Sequence, residues 1–439
     1  MNNVREMTLF GYLMAGPTWH LYGAWRHPDS DALDSLDPRR YETIAQICEA
    51  GKFDGVFFVD FVTIFDTYGG DLQTCMREPG QMCMLEPMQL LAGMARVTSR
   101  IGLAASMSTS LYPPYHIARS FATLDHISQG RAGWNIVTSA MQSEAQNYGF
   151  DKLLEKSQRY DHADEVLEAC DALWESWDAD ALVLSREDNV YVDGSKVRYA
   201  NYQGSRVSTR GPLTAPRSPQ TRPVMMQAGS SPRGRQFAGR WAEAIFTVQS
   251  NERDMRAYYR DIKRHVVDAG RAATQCRVLP AIDVVIGTTQ AQAEEKAAEI
   301  NRYASPSLGV QELSNVVGID LAPYPLDTPI ADLDLGHIYQ GIVDSIRQGS
   351  GRDNLTLGEA GEAWSRNQMC PQFVGTSESV ANKLQHLFEN ECCDGFMLCP
   401  SLSPGGYQDF VDGVVPILQH RKLFRTEYAA STFRDNLLT

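Results

Sequence analysis

No stretch of this sequence stays apolar long enough to cross a bilayer. The longest near-continuous run, residues 56–62, is broken by Asp60, and the first seven residues are polar rather than a secretion signal. Runs of Lys or Arg are missing too. With 40 basic residues against 54 acidic ones and a formal net charge of −14, the chain lacks the basic patch that nucleic acid or an anionic membrane surface would require. The expected setting is the cytoplasm, with no nucleic-acid and no membrane partner. Nine cysteines form no C-x-x-C pair and are odd in number, which argues against both a zinc cage and a disulfide framework and leaves them as small core residues. No G-x-G-x-x-G follows a strand and no G-x-x-x-x-G-K-[ST] occurs, so a built-in dinucleotide or P-loop site of the usual kind is not expected. His20, His27, His116, His126 and His162 lack metal-ligand spacing, which speaks against a metal-dependent hydrolase and predicts no metal site.

What the chain does have is a regular alternation. Short apolar runs at residues 8–14, 54–59, 101–107, 130–139, 224–228, 244–248, 278–286 and 395–399 read as strands buried on both faces. Helical patterns follow at 39–50, 87–99, 115–128, 157–177, 234–241, 253–269, 291–303 and 407–424, the first expected to close on a left-handed Gly51. Eight strand–helix units favour an α/β fold of the (β/α)8 TIM-barrel type over an open doubly wound sheet. The expectation is one barrel domain over residues 1–439 with two insertions. The first, about 178–222, carries short alternating pieces and reads as a small hairpin. The second, about 305–371, holds Pro306, Pro323, Pro325 and Pro329 and helices near 337–347 and 356–366, and it reads as a lid.

In such a barrel, sites are built at the carboxyl ends of the strands. Asn135, Thr138 and Ser139 fall in or just beyond the strand that starts at Gly130-Arg131, although a core strand with an ordinary polar cap would look the same. Asp60 ends the second strand, where a carboxylate must find a donor or sit at the barrel mouth; a turn cap is the alternative. The segment Gln227-Ala228-Gly229-Ser230-Ser231-Pro232 leads a strand into a helix, and Ser231 before Pro232 is an N-cap arrangement. Its free N–H groups suit a phosphate, or simply cap the helix. His20 follows the first strand, with Trp25 and His27 close behind; an imidazole there could move a proton, or merely bond to backbone.

The residues 130–139, the run 106–119 with Tyr112-Pro113-Pro114-Tyr115, Arg159-Tyr160 and 227–235 together resemble the bacterial-luciferase-like flavin monooxygenases. Within them the chain is similar to the branch of nitrilotriacetate, EDTA and dibenzothiophene-sulfone monooxygenases, the sulfone enzymes most of all, through residues 23–27, 210–213, 322–330 and 424–428. The resemblance implies a barrel that binds reduced FMN (FMNH2), delivered by a separate NAD(P)H:FMN reductase, and uses O2 as co-substrate. A flavin peroxide at C4a or N5 would then oxygenate and cleave a carbon–heteroatom bond of a small aromatic or heterocyclic substrate, such as a sulfone C–S bond. It further implies a homodimer or homotetramer. Carried over residue by residue, it makes Asp60, Ser106, Val137, Ser139, Lys156, Tyr160, Ala228, Ser230 and Ser231 flavin contacts, and His20, Asn135 and Ser139 the catalytic group. Lys156 stands where relatives have histidine, and Val316 where the sulfone enzymes have a histidine of the substrate pocket. Other chemistries on the same barrel are oxidative dehalogenation, cleavage of a flavin, or flavin binding without catalysis.

Overall fold

The structure, a computed structural model, describes residues 5–17, 21–77, 84–333, 346 and 354–438. Eight barrel strands follow one another along the chain: β1 Thr8–Met14, β2 Gly55–Val59, β3 Gly102–Ser108, β4 Ala132–Val137, β5 Val224–Gln227, β6 Ala244–Thr247, β7 Arg277–Ile286 and β8 Gly395–Leu398. Each pairs with its neighbours in sequence, β8 returns to β1, and the parallel sheet closes into an α/β barrel. All eight strands expected from the sequence are present. The helices between them include α1 Pro38–Ala50, α2 Pro87–Val97, α3 Pro114–Ser128, α4 Lys156–Trp174, α5 Pro232–Trp241, α6 Glu252–Asp268, α7 Gln290–Asn301, α8 Pro306–Val317, α9 Leu357–Asn367 and α10 Ser377–Glu389.

Two compact units can be distinguished. One comprises Met1–Glu86, Phe246–Asp261 and Arg277–Glu427. In it Tyr12 of β1 meets Phe57 of β2 edge-on at 5.4 Å, and Phe246 lies 5.4 and 6.3 Å from the same two rings. Beneath this aromatic cluster Asp54 accepts from the Leu9 amide at 2.8 Å and pairs with Arg425 at 2.5 Å, so its buried charge is compensated. Gly51 does end α1, but at φ −74°; the left-handed residue is Lys52 at φ 62°. The turn is completed one position later than the sequence suggests.

The other unit comprises Pro87–Ile245, Ile262–Cys276 and Tyr428–Thr439. Its core is built on strand alternation. Met107, Trp134, Ile136 and Met225 pack against Phe121 of α3 and Ala163, Val166, Leu167 and Leu173 of α4, and each such buried side chain stabilises by about 2 kcal/mol. Trp134 donates its indole N–H to the Met107 carbonyl at 3.0 Å, which removes the only polar cost of burying it. The intervening residues Ser106, Ser108, Asn135 and Val137 therefore turn away from the helices.

The insertion at about 178–222 holds the expected antiparallel hairpin, Leu182–Ser185 with Val190–Val192, and a second, shorter one, Tyr202–Gln203 with Ser208–Thr209. Residues 305–371 contain α9, close to the helix expected at 356–366, and also α8, which the prolines concealed: Pro306 sits in its first turn, where a missing N–H costs nothing. The helix expected near 337–347 lies outside the described residues. A short strand, Gln372–Gly375, pairs with β7 and leads into α10; neither was anticipated.

Candidate active site

The tips of β3 and β4 are in parallel register, Ser106 opposite Asn135 and Ser108 opposite Val137. The buried Asn135 donates its amide to Ser106 Oγ at 2.8 Å. One step further out, Ser108 Oγ and Ser139 Oγ lie 2.8 Å apart, with either able to donate. Ser139 adopts φ 56°, a left-handed backbone that a non-glycine residue avoids by about 1 kcal/mol. That turn aims its hydroxyl back at β3. The Val137 carbonyl accepts from the Thr109 amide at 2.9 Å, and Ser110 Oγ donates to the Thr138 carbonyl at 2.8 Å, so the two strand ends are laced together. Glu144, buried under the following loop, accepts the Ala140 and Met141 amides at 3.1 and 3.2 Å.

Beside these tips α4 presents Tyr160, largely buried, to the start of α5. Ser231 caps that helix by accepting the Gly234 amide at 3.1 Å, with Pro232 in the first turn as the sequence predicted. A Cβ added to Gly234 would stand 2.7 Å from the Tyr160 hydroxyl oxygen, and one added to Gly229 would stand 3.0 Å from it. Only glycine lets the phenol come this close. Burial raises the Tyr160 pKa, while hydrogen bonds with Ser231 and Gln227 and the charges of Arg159 and Arg233 oppose the rise. Arg233 lies over the ring, 5.7 Å from its centre, and is held by Asp161 at 3.0 Å and Asp164 at 2.5 Å. Burial lowers the pKa of the Arg159 guanidinium. Two side-chain atoms here are buried with no hydrogen-bond partner: Arg159 Nε, a donor, and Gln227 Oε1, an acceptor.

A profile of the luciferase-like monooxygenases matches residues 18–391. The dibenzothiophene-sulfone monooxygenase of Rhodococcus erythropolis is 45% identical over 449 aligned residues, which cover 100% of this chain and 97% of that one. Two solved structures share the fold closely. DmoA from Hyphomicrobium sulfonivorans superposes with a TM-score of 0.92 at 30% identity, over 99% of this chain and 92% of the other. A riboflavin lyase, crystallised with modified FMN and riboflavin, gives 0.88 at 32% identity, over 99% and 96%. The chain belongs to the luciferase-like monooxygenases. It is thus a flavin-dependent monooxygenase and a homologue of the sulfone enzymes.

The residues of this luciferase-like chain fit a phosphorylated flavin. A helix start, whose dipole favours negative charge, an unmet donor on Arg159 and an unmet acceptor on Gln227 are complementary to a ligand that carries both phosphate oxygens and hydroxyls. Of the residues expected from the sequence, Ser106, Asn135, Val137 and Ser139 come together on the β3 and β4 tips, and Tyr160 and Ser231 meet at α5. Ala228 and Ser230 are exposed on the same turn, where the Ser230 carbonyl accepts from Arg235 Nε at 2.9 Å. Lys156 is exposed at the first position of α4. Asp60 is half-buried directly after β2. Val316 is 42% exposed on α8. His20 lies outside the described residues. In the sequence Arg159 and Gln227 stand out only as parts of motifs; what distinguishes them, a buried atom without a partner, is a property of packing that no spacing announces.

Proposed function

We propose that the protein is a two-component, FMNH2-dependent monooxygenase that cleaves a carbon–heteroatom bond of a small aromatic or heterocyclic compound, a sulfone C–S bond being the foremost case. The observation that carries this reading is the cradle of Tyr160, Gly229, Ser231 and Gly234, with the unpartnered Arg159 Nε beside it. The full-length kinship with a sulfone monooxygenase supports the choice of bond. Reduced FMN, when bound, supplies the two electrons for O2 chemistry that no side chain could provide.

The chain's own residues bind, orient and shield. Tyr160, Ser231, Arg159 and Lys156 would hold the phosphate at the start of α5, with Ala228, Ser230 and Asp60 among the further contacts. Ser106, Val137 and Ser139 would flank the ring system at the strand tips. Because the Ser108–Ser139 pair can reverse its hydrogen bond, Ser139 can either donate to or accept from a reacting oxygen. Asn135, fixed by Ser106, keeps that edge rigid, and His20 would give a proton to the departing heteroatom. A separate NAD(P)H:FMN reductase would deliver the reduced flavin in the cytoplasm. The enzyme itself would be a single catalytic domain in each copy of a homodimer or homotetramer.

A second reading, cleavage of a flavin itself, draws on the likeness to the riboflavin lyase. Purified protein supplied with a generic FMN reductase, NADH and O2 tests both against a panel of sulfones, amines, chlorinated aromatics and riboflavin. Consumption of a sulfone with formation of the ring-opened or cleaved product is expected. Oxygen uptake that ends only in hydrogen peroxide with every compound would refute the proposal.

A further inference from the structure

Tyr160 and His162 lie on the same helix but two residues, about 200°, apart, so they serve opposite faces of it. On the His162 face there is a cavity of about 720 Å³, within the range of small-molecule sites. Its apolar lining includes Leu111, Tyr112, Phe150, Leu153, Leu154 and Val207, and Lys152 and Arg206 are the charged residues among its described lining. None of the residues assigned to the flavin is among them.

The chemistry of this cavity is specific. Its walls are mainly aliphatic and aromatic, with Thr109, Ser110, Ser208 and His162 as uncharged polar members, and Phe150 and Leu154 remain 48% and 42% exposed, an unusual cost unless something covers them. Among the described residues no carboxylate lines it, although the chain as a whole carries a net charge of −14. Lys152 and Arg206 are both exposed; Arg206 also donates to the Gln158 carbonyl at 3.0 Å, and Glu165 on the same helix is engaged with the Ser205 hydroxyl and the Arg206 and Val207 amides at 2.8 and 3.0 Å. His162 adds no charge: its Nε2 lies 3.1 Å from the Thr109 carbonyl, and burial lowers its pKa. We infer that this pocket, formed by the loops at 109–114 and 150–154 and the hairpin at 206–208, is a second binding site, for a small organic anion with an aromatic or branched apolar body and one sulfonate or carboxylate group. Two cations at the rim of an apolar cavity recognise that combination, and a neutral compound of the same shape meets only half of it.

The test titrates the full-length protein, saturated with FMN so that the flavin site is filled, with 2-naphthalenesulfonate and with its neutral analogue 2-naphthalenesulfonamide, by calorimetry. Saturable one-to-one binding of the sulfonate is expected, at least about tenfold tighter than the sulfonamide, since removing a paired charge costs 1.4 kcal/mol or more. The double variant Lys152→Ala/Arg206→Ala should lose that preference while binding FMN as before; both positions are exposed, and circular dichroism confirms that the variant is folded. Three outcomes would each overturn the inference. These are no binding at millimolar sulfonate, sulfonate binding that appears only when FMN is left out, and equal affinity for the charged and neutral compounds. Because FMN binding is read separately, failure here leaves the monooxygenase reading intact, and loss of FMN binding alone would count against that reading instead.

Discussion

The Tyr160 hydroxyl is wedged against two glycines whose absent Cβ atoms would collide with it, so the phenol cannot shift without disturbing the start of α5. Tyr160→Phe removes one hydrogen bond from this end, and a loss of about 1–1.5 kcal/mol, roughly tenfold in FMN affinity, is expected. Fluorescence titration with FMN measures it; an unchanged curve would remove Tyr160 from the site. Glu312 on α8 was not singled out in the sequence, because one carboxylate in an amphipathic helix is unremarkable until its surroundings are known. It is 1% exposed, neither oxygen has a partner in hydrogen-bonding geometry, and burial pushes its pKa up to about 8, against a smaller opposing effect of Tyr22. A folded-state pKa above the unfolded value gives stability that is complete below about pH 4.5 and lost as pH rises through about 8. The shift sets a ceiling of about 5 kcal/mol on that loss. Glu312→Gln should therefore be more stable than the parent at pH 8 and no more stable at pH 4.5, as scanning calorimetry at the two values would show. Equal differences at both would mean that the carboxyl is ionised in the fold.

At the scale of elements, strands read well because the barrel buries them on both faces, leaving apolar runs such as residues 56–59 and 395–398. Helices read less well where a proline opens them, as at α8, or where a four-residue strand such as Gln372–Gly375 offers too short a pattern. The Gly130-Arg131 turn before β4 was legible as a turn but not as a clamp. Arg131 is 3% exposed and donates to the carbonyls of Ser128, Ile101, Ala95 and Thr98 and to the Thr98 hydroxyl, at 2.7–3.2 Å. It ties the ends of α2 and α3 to β3 and β4. Arg131→Met would leave several buried acceptors unmet and should lower stability by about 3–5 kcal/mol. Urea denaturation checks this, and a midpoint within error of the parent would contradict it.

At the scale of the whole molecule, distant parts of the chain complete one another in ways that only three dimensions display. Arg434, near the carboxyl end, donates to Glu243 at 2.6 Å and to the carbonyls of Gln220, Arg222 and Pro223 at 2.8–3.1 Å. Glu243 is 4% exposed and its other oxygen holds the Met225 amide at 2.9 Å, so the short helix Phe433–Leu438, which carries Arg434, secures the start of β5. Arg434→Ala should leave a buried carboxylate short of its cation and lower the melting temperature by about 5 °C or more; a thermal scan matching the parent would show the clamp to be dispensable. Glu165 does similar service for the short hairpin at 202–209, and it stands on the same α4 that presents Tyr160 on its other side. Anyone exchanging this insertion between homologues to alter what the enzyme accepts would therefore be transplanting half of a joint. The donor loop will seat only on a host helix that already offers an acid at the matching position, and a chimera built without it would loosen the helix that carries Tyr160 as well as the graft.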